Sequence, residues 1–313
     1  MNDKARPEEL EDAHDQAISV EPVEITAKLE TGELVQAWAK KRGLKPRFVV
    51  EARVAARTDM GLVRENNEDK FDLFEPDEPE VLAVKGCLYA VADGMGGHAS
   101  GQVASELALK TVLAQYYSDP GEDVEECLRA ALRAANSYVY DTAQAIPERS
   151  GMGTTCTAAV IRDNELYIAH VGDSRAYLIR DGELRQVTED HSWVAEQAKR
   201  GALTEEEAAM SPFRNVITRS LGASAEVEPD VYREEFRKGD VLILCSDGLS
   251  GCVDDAEILE IAGGHGPSSA ALKLVQRANE LGGGDNITVV IVGIRDVRKV
   301  GRRSRIRRLL GRG

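Results

Sequence analysis

The chain has 313 residues, of which 42% are hydrophobic and 30% are charged, and its formal net charge at pH 7 is −15. This length allows one large domain or two of ordinary size, and no apolar run approaches the roughly 18 residues that a membrane-spanning helix requires. Residues 1–24 hold eight acidic residues against two basic ones and lack the apolar core of a secretory signal, so the composition predicts a globular cytoplasmic protein.

The N-terminal region is predicted to be an acidic leader, residues 1–50, with one short helix. In the segment TGELVQAWAKKRG, residues 31–43, Leu34, Val35 and Trp38 have helical spacing, and Gly43 is a typical helix stop. The sequence leaves open whether this leader docks on a partner, docks on the rest of the chain or is an uncommitted extension.

From about residue 50, strand-like and helix-like segments alternate. The predicted strands are rich in β-branched or apolar residues and lie in CLYAVADG (87–94), TCTAAVI (155–161), ELYIAHVGDSRAYLIR (165–180), DVLILCSDG (240–248) and NITVVIVGI (286–294). Asp181 and Gly182 predict a hairpin turn. The strands expected at 164–171 and 175–180 are joined too tightly for a helical crossover, which favours a mainly antiparallel α+β fold over a parallel sheet.

Three helices are predicted from apolar residues that recur along one face. Two lie between the first and second predicted strands, and the third precedes the last one. Their expected buried residues are Ala104, Leu107, Ala108 and Val112; Val124, Leu128, Ala131, Leu132, Ala135 and Val139; and Ala271, Leu274, Val275, Ala278 and Leu281.

Acidic residues stand where the predicted strands begin or end. Asp93, Asp173 and Asp247 follow apolar runs, and Asp285 with Asn286 precedes another. Carboxylates beside a core are costly unless they are paired, and several together repel one another unless a cation lies between them. A single Asp-Gly is more often a surface turn. Because four acids share this setting without a His/Cys cluster, Mg²⁺ or Mn²⁺ is favoured over zinc.

Two neighbouring segments fit such a site. In ADGMGG, residues 92–97, the missing side chains would let the Gly94 carbonyl join the Asp93 carboxylate around a metal. Upstream, Arg64 offers a planar fork for phosphate oxygens, and Glu68 and Asp69 could hold the waters around the ions. Taken alone, this upstream segment would be an exposed charged turn.

Six segments together resemble the metal-dependent PPM, or type 2C, family of serine/threonine protein phosphatases, in its bacterial form. In chain order they are VRENNED (63–69), VADGMGG (91–97), GMGTT (151–155), VGDSRAY (171–177), CSDGL (245–249) and GGDNITVVIV (283–292). Each motif alone is weak, but six in the family's order are specific. The resemblance covers roughly residues 52–294 and implies a catalytic domain over residues 51–296.

The resemblance also implies the architecture and the ligands. We expect a four-layer α-β-β-α sandwich of two mainly antiparallel sheets flanked by helices, with two Mn²⁺ or Mg²⁺ ions at one end. Asp93 would bridge the ions, Asp247 and Asp285 would complete one site, and the Gly94 carbonyl would serve the other. A third, looser ion would take Asp173 together with Asp247. The implied phosphate ligand is Arg64, and the residues implied to support the metal ligands are Glu68, Asp69 and Asn286.

The implied reaction is the hydrolysis of phosphoserine and phosphothreonine in proteins by a water or hydroxide held between the ions, with Arg64, Asp93 and Asp247 as catalytic residues. We expect a monomer acting on kinase substrates. The alternative is a phosphoprotein-binding pseudophosphatase without catalysis. None of the five cysteines lies in a basic loop suited to a nucleophile. The general acid stays open, because Met95 stands where eukaryotic relatives have histidine, and His98 is a weaker candidate.

Residues 190–222 correspond to the flap that bacterial relatives carry beside the active site. Thr204 and Glu207 predict a helix with a capping box, and Arg214 and Arg219 could meet an acidic or phosphorylated substrate. Trp193 and Phe213 are expected to pack structurally. His191 and Ser192 match a family motif and are expected to shape the base of the flap.

The C-terminal tail, residues 297–313, is predicted to be basic. Residues 295–313 contain nine arginine or lysine residues, and Asp296 is their only acidic residue. Three interpretations stay open: a solubilising end, a contact for anionic lipid or nucleic acid, and an internal partner for the acidic body.

Overall fold

The computed structural model describes residues 43–97 and 99–300, and helices and strands are numbered here within those ranges. The predicted helix around Trp38, the candidate acid His98 and tail residues 301–313 lie outside the described residues. Within these two ranges, no helix combines the length and the apolar character needed to cross a bilayer.

Two five-stranded sheets form the centre of the fold. In spatial order, the first contains β1 (Phe48–Asp59), β12 (Ile287–Lys299), β11 (Val241–Cys245), β8 (Arg175–Arg180) and β9 (Glu183–Gln186). The second contains β10 (Asp230–Glu235), β7 (Glu165–Val171), β6 (Cys156–Arg162), β3 (Cys87–Ala92) and β2 (Lys70–Phe74). A short ribbon pairs β4 (Gly94–Met95) with β5 (Gly153–Thr154). Neighbouring strands are antiparallel throughout these sheets.

Helices cover the outer face of each sheet. The described helices are α1 (Pro79–Val84), α2 (Ala99–Ser118), α3 (Val124–Ala145), α4 (Trp193–Lys199), α5 (Glu205–Met210), α6 (Asp247–Ser250), α7 (Asp255–Gly264) and α8 (Pro267–Glu280). Helices α2 and α3 pack on the second sheet, and α6, α7 and α8 pack on the first. The predicted α+β class and the four-layer α-β-β-α order are confirmed.

The apolar strands are buried on both faces, which explains why their sequences are continuous apolar runs rather than alternating ones. In β3, Leu88 and Ala90 contact the core shared with α2 and α3, whereas Tyr89 and Val91 face the other sheet. Each fully buried side chain of this kind contributes on the order of 2 kcal/mol to folding. The site described below therefore lies on a rigid sandwich.

The residues predicted to be buried along the three helices are buried in the structure, with two exceptions. All six expected residues of α3 are buried, and the Asp123 side chain caps that helix by accepting from the Glu125 amide at 3.0 Å. Leu107 is only partly buried. Leu281 lies outside the core and is 43% exposed, because α8 ends at Glu280 and the chain then turns through Gly282 at φ +123°.

The strands predicted at 164–171 and 175–180 form as Glu165–Val171 and Arg175–Arg180, and they lie in different sheets. β7 belongs to the second sheet and β8 to the first, so the three residues from Gly172 to Ser174 cross between the sheets. Gly172 adopts φ +119° at this crossing. The predicted hairpin is confirmed, since β8 and β9 pair through Asp181 at φ +53° and Gly182 at φ +82°.

Candidate metal centre

Five aspartates converge at one end of the sandwich. Asp93 follows β3, Asp247 follows β11 and Asp285 precedes β12, while Asp69 precedes β2 and Asp173 lies in the crossing between the sheets. Antiparallel neighbours bring a strand's end beside the next strand's start, which explains why these positions meet. Sequence reasoning placed Asp69 among the residues that support the ligands, but the structure buries it inside the acidic cluster, with 1% of its surface exposed.

The acidic cluster holds protons more tightly than isolated carboxylates do. Burial, followed by the negative charges of Asp69, Asp247 and Asp173, raises the pKa of Asp93 well above its ordinary value. Burial, followed by the negative charge of Asp285, raises the pKa of Asp247. Burial raises the pKa of Asp69 to about 7, and burial with the charge of Asp247 raises that of Asp173 to about 7.

Several carboxylate oxygens in the cluster lack a hydrogen-bond donor. Asp69 Oδ1, Asp173 Oδ1 and Asp247 Oδ1 are buried without a partner in the structure. Buried, unsatisfied acceptors are costly, and an all-oxygen set of this kind suits Mg²⁺ or Mn²⁺. Within residues 43–97 and 99–300, no group of three or more histidine, cysteine, aspartate or glutamate side chains is already arranged so that it could hold a metal ion. Because burial raises the pKa of both Asp93 and Asp247, a cation that binds there would have to displace protons.

Glycines let the Asp93 loop pack tightly against Glu68. A Cβ on Gly94 would lie 2.1 Å from the Gly101 carbonyl oxygen and 2.7 Å from that of Glu68. A Cβ on Gly101 would lie 2.3 Å from Glu68 Oε2. The Gly94 amide donates to the Glu68 carbonyl at 3.2 Å. These contacts hold the Glu68 segment beside Asp93.

Hydroxyl groups that the sequence analysis assigned no role fix two of the acids. The Asp93 amide donates to Thr155 Oγ1 at 2.9 Å, and Thr154 Oγ1 donates to the Asp93 carbonyl at 2.8 Å. Ser246 Oγ donates to Asp69 Oδ2 at 2.6 Å. The GMGTT and CSDGL segments contain these residues, so the sequence offered a signal, but only the fold shows which aspartate each hydroxyl contacts.

Asn286 clamps the loop that carries Arg64. Its side-chain amide donates to the carbonyl oxygens of Met60 and Asn66, each at 2.9 Å, and its Oδ1 accepts from the Glu68 amide at 2.8 Å. Arg64, with its side chain 54% exposed, donates through Nη2 to Asp285 Oδ2 at 2.7 Å. The guanidinium therefore lies at the solvent-facing rim of the acidic cluster.

The base of the flap is attached to the crossing that carries Asp173. His191 Nδ1 accepts from the Gly172 amide at 3.0 Å, and His191 Nε2 lies 3.0 Å from Asp230 Oδ2. Ser192 caps α4 by accepting from the Ala195 amide at 3.3 Å. This pair shapes the flap base, as predicted.

The rest of the flap is the small helical excursion that the sequence predicted. The Thr204–Glu207 capping box is present, and the rings of Trp193 and Phe213 pack edge to face at 5.2 Å. The Arg219 guanidinium donates to Asp230 Oδ1 at 2.9 Å, and its contact with substrate stays a prediction. The Arg214 side chain is exposed.

The cysteines near the site are not nucleophiles. Cys245 is fully buried, and burial raises the pKa of its thiol to about 12. Cys252 is exposed, and its Sγ donates to the Gly248 carbonyl at 2.9 Å. All five cysteines fall within the described residues, and all are free thiols.

Comparisons of the sequence point to one family. Residues 57–287 match the model of the family described as protein phosphatase 2C. The chain is 42% identical over 250 residues to the serine/threonine protein phosphatase PstP of Mycobacterium tuberculosis. The matched region covers 80% of this chain and 46% of that protein. It is 38% identical over 252 residues to the serine/threonine phosphatase stp of Listeria monocytogenes, covering 79% of this chain and 97% of that one. The chain thus spans about half of the mycobacterial relative and almost all of the listerial one.

Solved structures share the fold. The crystal structure of the M. tuberculosis phosphatase PstP/Ppp has a TM-score of 0.70 at 43% identity, covering 79% of this chain and 100% of that one. The catalytic domain of PstP in complex with two manganese ions has a TM-score of 0.69 at 41% identity, with the same coverage. Stp1 from Staphylococcus aureus has a TM-score of 0.72 at 33% identity, covering 81% of this chain and 98% of that chain.

Proposed function

The chain belongs to the protein phosphatase 2C family, together with bacterial serine/threonine phosphatases, and we propose that it removes phosphate from phosphoserine and phosphothreonine in proteins. One observation carries this proposal beyond family membership. The aspartates converge with three unpartnered buried oxygens beside the exposed guanidinium of Arg64. Such a site needs cations, and it presents an anion-binding group at its rim.

We assign two Mn²⁺ or Mg²⁺ ions to this cluster. Asp93 would be a ligand of both, Asp247 and Asp285 would complete one site, and the Gly94 carbonyl would serve the other. Asp173 and Asp247 would hold a third, looser ion. The oxygen-only donor set supports the assignment, as does the relative's structure with two manganese ions. When bound, the ions lower the pKa of a water molecule and neutralise charge on the phosphoryl oxygens.

The protein's own residues bind and orient the substrate. Arg64 supplies a planar pair of donors for two phosphoryl oxygens, and Asn286 holds the Arg64 loop in place. Ser246 fixes Asp69 through the hydroxyl donated to Oδ2. Thr155 fixes the backbone of Asp93. No cysteine nucleophile takes part, in keeping with direct attack by water.

The wider setting of the enzyme is also part of the proposal. We infer a monomer that acts in the cytoplasm on substrates of serine/threonine kinases. Its catalytic domain extends beyond the predicted residues 51–296, because β1 begins at Phe48 and β12 ends at Lys299. The basic tail keeps its three interpretations, one of which is contact with an anionic surface.

A non-catalytic phosphoprotein-binding role is the alternative function. Such a protein would be expected to have lost metal ligands, whereas every matched acid is present here. The alternative predicts that a phosphothreonine peptide binds to the metal-loaded protein without being hydrolysed.

Turnover with metal and chelator controls tests the proposal. We expect the protein with Mn²⁺ to hydrolyse para-nitrophenyl phosphate and a phosphothreonine peptide, and EDTA to abolish both activities. Asp93→Asn and Asp247→Asn should each lower kcat/KM by about a thousandfold, because an electrostatic group of this kind contributes roughly 4 kcal/mol to catalysis. Asp141→Asn, at an exposed position in α3, should leave it intact. Undiminished activity in both site variants would reject the proposal.

A further inference from the structure

Three apolar side chains stand exposed on the loop that carries Arg64. Met60 is 43% exposed, Leu62 is 70% exposed and Val63 is 67% exposed. Single exposed apolar residues are ordinary on protein surfaces, but a cluster at the edge of a site is typical of an interaction surface. We call Met60, Leu62 and Val63 the apolar ledge.

The backbone beneath the apolar ledge is fixed. The Leu62 amide donates to the Gly283 carbonyl at 2.8 Å. Gly61 adopts φ +78°, and a Cβ there would lie 2.2 Å from the Asp285 carbonyl oxygen. The Asn286 amide also holds the carbonyl of Met60 at 2.9 Å. Because the backbone is tied to the Asp285 loop, the ledge side chains are held toward solvent.

The apolar ledge is continuous with the proposed phosphate site. Val63 directly precedes Arg64, and Arg64 Nη2 lies 2.7 Å from Asp285 Oδ2. An extended peptide advances about 3.3–3.6 Å per residue. A phosphopeptide bound at Arg64 would therefore place residues within three positions of its phosphorylated side chain at distances of roughly 11 Å or less, within reach of the ledge.

Charge around the ledge defines the rest of the partner's chemistry. Glu65 follows Arg64 and is exposed, and Asp285 and Asp247 lie at the site itself. The chain as a whole carries −15. Such a field attracts cationic segments and repels acidic ones.

We propose that the apolar ledge docks phosphoprotein substrates, taking an aliphatic or aromatic side chain within three residues of the phosphorylated one, and that it disfavours acidic flanks. The inference rests on the proposed phosphatase function and names the substrate class of that same site.

A panel of phosphothreonine peptides tests the inference. The parent peptide has alanine around phosphothreonine and arginine at its ends. Derivatives carry one leucine at each position from three before to three after, or glutamate in place of arginine. We expect leucine in at least one position to raise kcat/KM about tenfold over alanine, which is the usual gain from filling an apolar contact, mainly through KM. Glutamate in place of the terminal arginines should lower kcat/KM.

The variant Leu62→Ser/Val63→Ser should reduce the leucine preference to twofold or less, with para-nitrophenyl phosphate as the reference substrate in each assay. Tyr138→Ser provides a matched control, because Tyr138 is 56% exposed on α3, and it should keep the full preference. Thermal unfolding checks that each variant is folded, and sedimentation velocity gives its oligomeric state.

Each result decides one point. Metal-dependent turnover without a leucine preference, or a preference that survives in the double variant, overturns the docking surface alone. A changed oligomeric state with unchanged preference assigns the ledge to contacts between copies and also overturns it. Absence of turnover on every substrate overturns the proposed function, and the inference with it.

Discussion

The carboxyl groups of Asp69, Asp93, Asp173 and Asp247 compete for protons at one end of the sandwich. Each has a raised pKa, and in every case burial is the largest cause. Cations and protons stabilise the same cluster, so they must exclude one another. The residue-scale consequence is that metal binding depends on pH.

Lowering the pH from 8 to 6 should weaken Mn²⁺ binding by about tenfold or more, because at least one proton must leave for a cation to bind. The sign follows from the pKa values of about 7 for Asp69 and Asp173, which make both groups mainly protonated at pH 6 and ionised at pH 8. Isothermal titration of the EDTA-treated protein measures the affinity. Equal affinity at both pH values would contradict the competition between protons and cations at this acidic cluster.

Gly94→Ala should destabilise the protein by about 2 kcal/mol through overpacking and should abolish turnover. The added Cβ would lie 2.1 Å from the Gly101 carbonyl oxygen, so either the Asp93 loop or α2 must move. Urea unfolding and para-nitrophenyl phosphate assays give the two readouts. Gly264→Ala, with nothing within 4 Å of its added Cβ, is the control. A fully active Gly94→Ala protein would show that the close approach is dispensable.

The elements bring the site together because strands end and begin at the same edge. β11 and β12 pair from Cys245 with Val289, just inside Asp247 and Asp285. The loop between β1 and β2 then closes over the end of the first sheet, held by Asn286. The position of Arg64 is therefore set by an amide that lies 222 positions further along the chain.

Asn286→Ala should lower kcat/KM by about tenfold, as is usual when a residue that supports a site is removed. The loss should include weaker inhibition by inorganic phosphate, because the Arg64 loop is released from three hydrogen bonds. Asn164→Ala is the matched control. It removes the hydrogen bond that the Asn164 side-chain amide donates to Glu235, at the opposite end of β7. Unchanged phosphate inhibition in Asn286→Ala would limit Asn286 to a general structural role.

The sequence predicts elements well where apolar character is continuous, and less well at the sheet edges. β3, β6, β11 and β12 are buried on both faces, and their apolar runs predicted them. β1 and β10 were not among the predicted strands. They lie at the edges, and β10, Asp230–Glu235, is largely charged. The sequence does not show that β7 and β8 lie in different sheets, because a short connection can join two sheets as well as two neighbouring strands.

The residues of the candidate site also differ in how well the sequence predicts them. Asp93, Asp173, Asp247 and Asp285 stand out because an acid beside an apolar run is costly and needs a reason. Ser246 carries no such signal, since a serine is satisfied in many settings. Its bond to Asp69 joins residues 177 positions apart, so only the tertiary approach of the two segments reveals it.

At the scale of the whole molecule, apolar cores make the sandwich rigid, and several carboxyl groups are concentrated at one end of it. In the part of the chain that the structure describes, three apolar cores hold the layers together, one between the sheets and one beneath each helical layer. The acidic cluster at one end works against folding when no cation is present, because its carboxyl groups are buried and several oxygens lack partners. Ions that bind only the folded chain should then stabilise all of it.

Mn²⁺ at a hundred times its dissociation constant should raise the free energy of unfolding by about 2.7 kcal/mol for each independent site. The thermal midpoint of the EDTA-treated protein should rise accordingly as Mn²⁺ is added. Asp93→Asn should lose most of this gain, whereas Asp141→Asn should keep it. An equal rise in both variants would place the stabilising ions elsewhere.

Anomalous diffraction from a crystal soaked in Mn²⁺ tests the central claim most directly. The account predicts two strong peaks at this end of the sandwich, both touching Asp93, with Asp247 and Asp285 around one of them. A fully soaked crystal with no peak among these carboxylates, or with its peaks elsewhere, would contradict the metal centre and the reaction built on it.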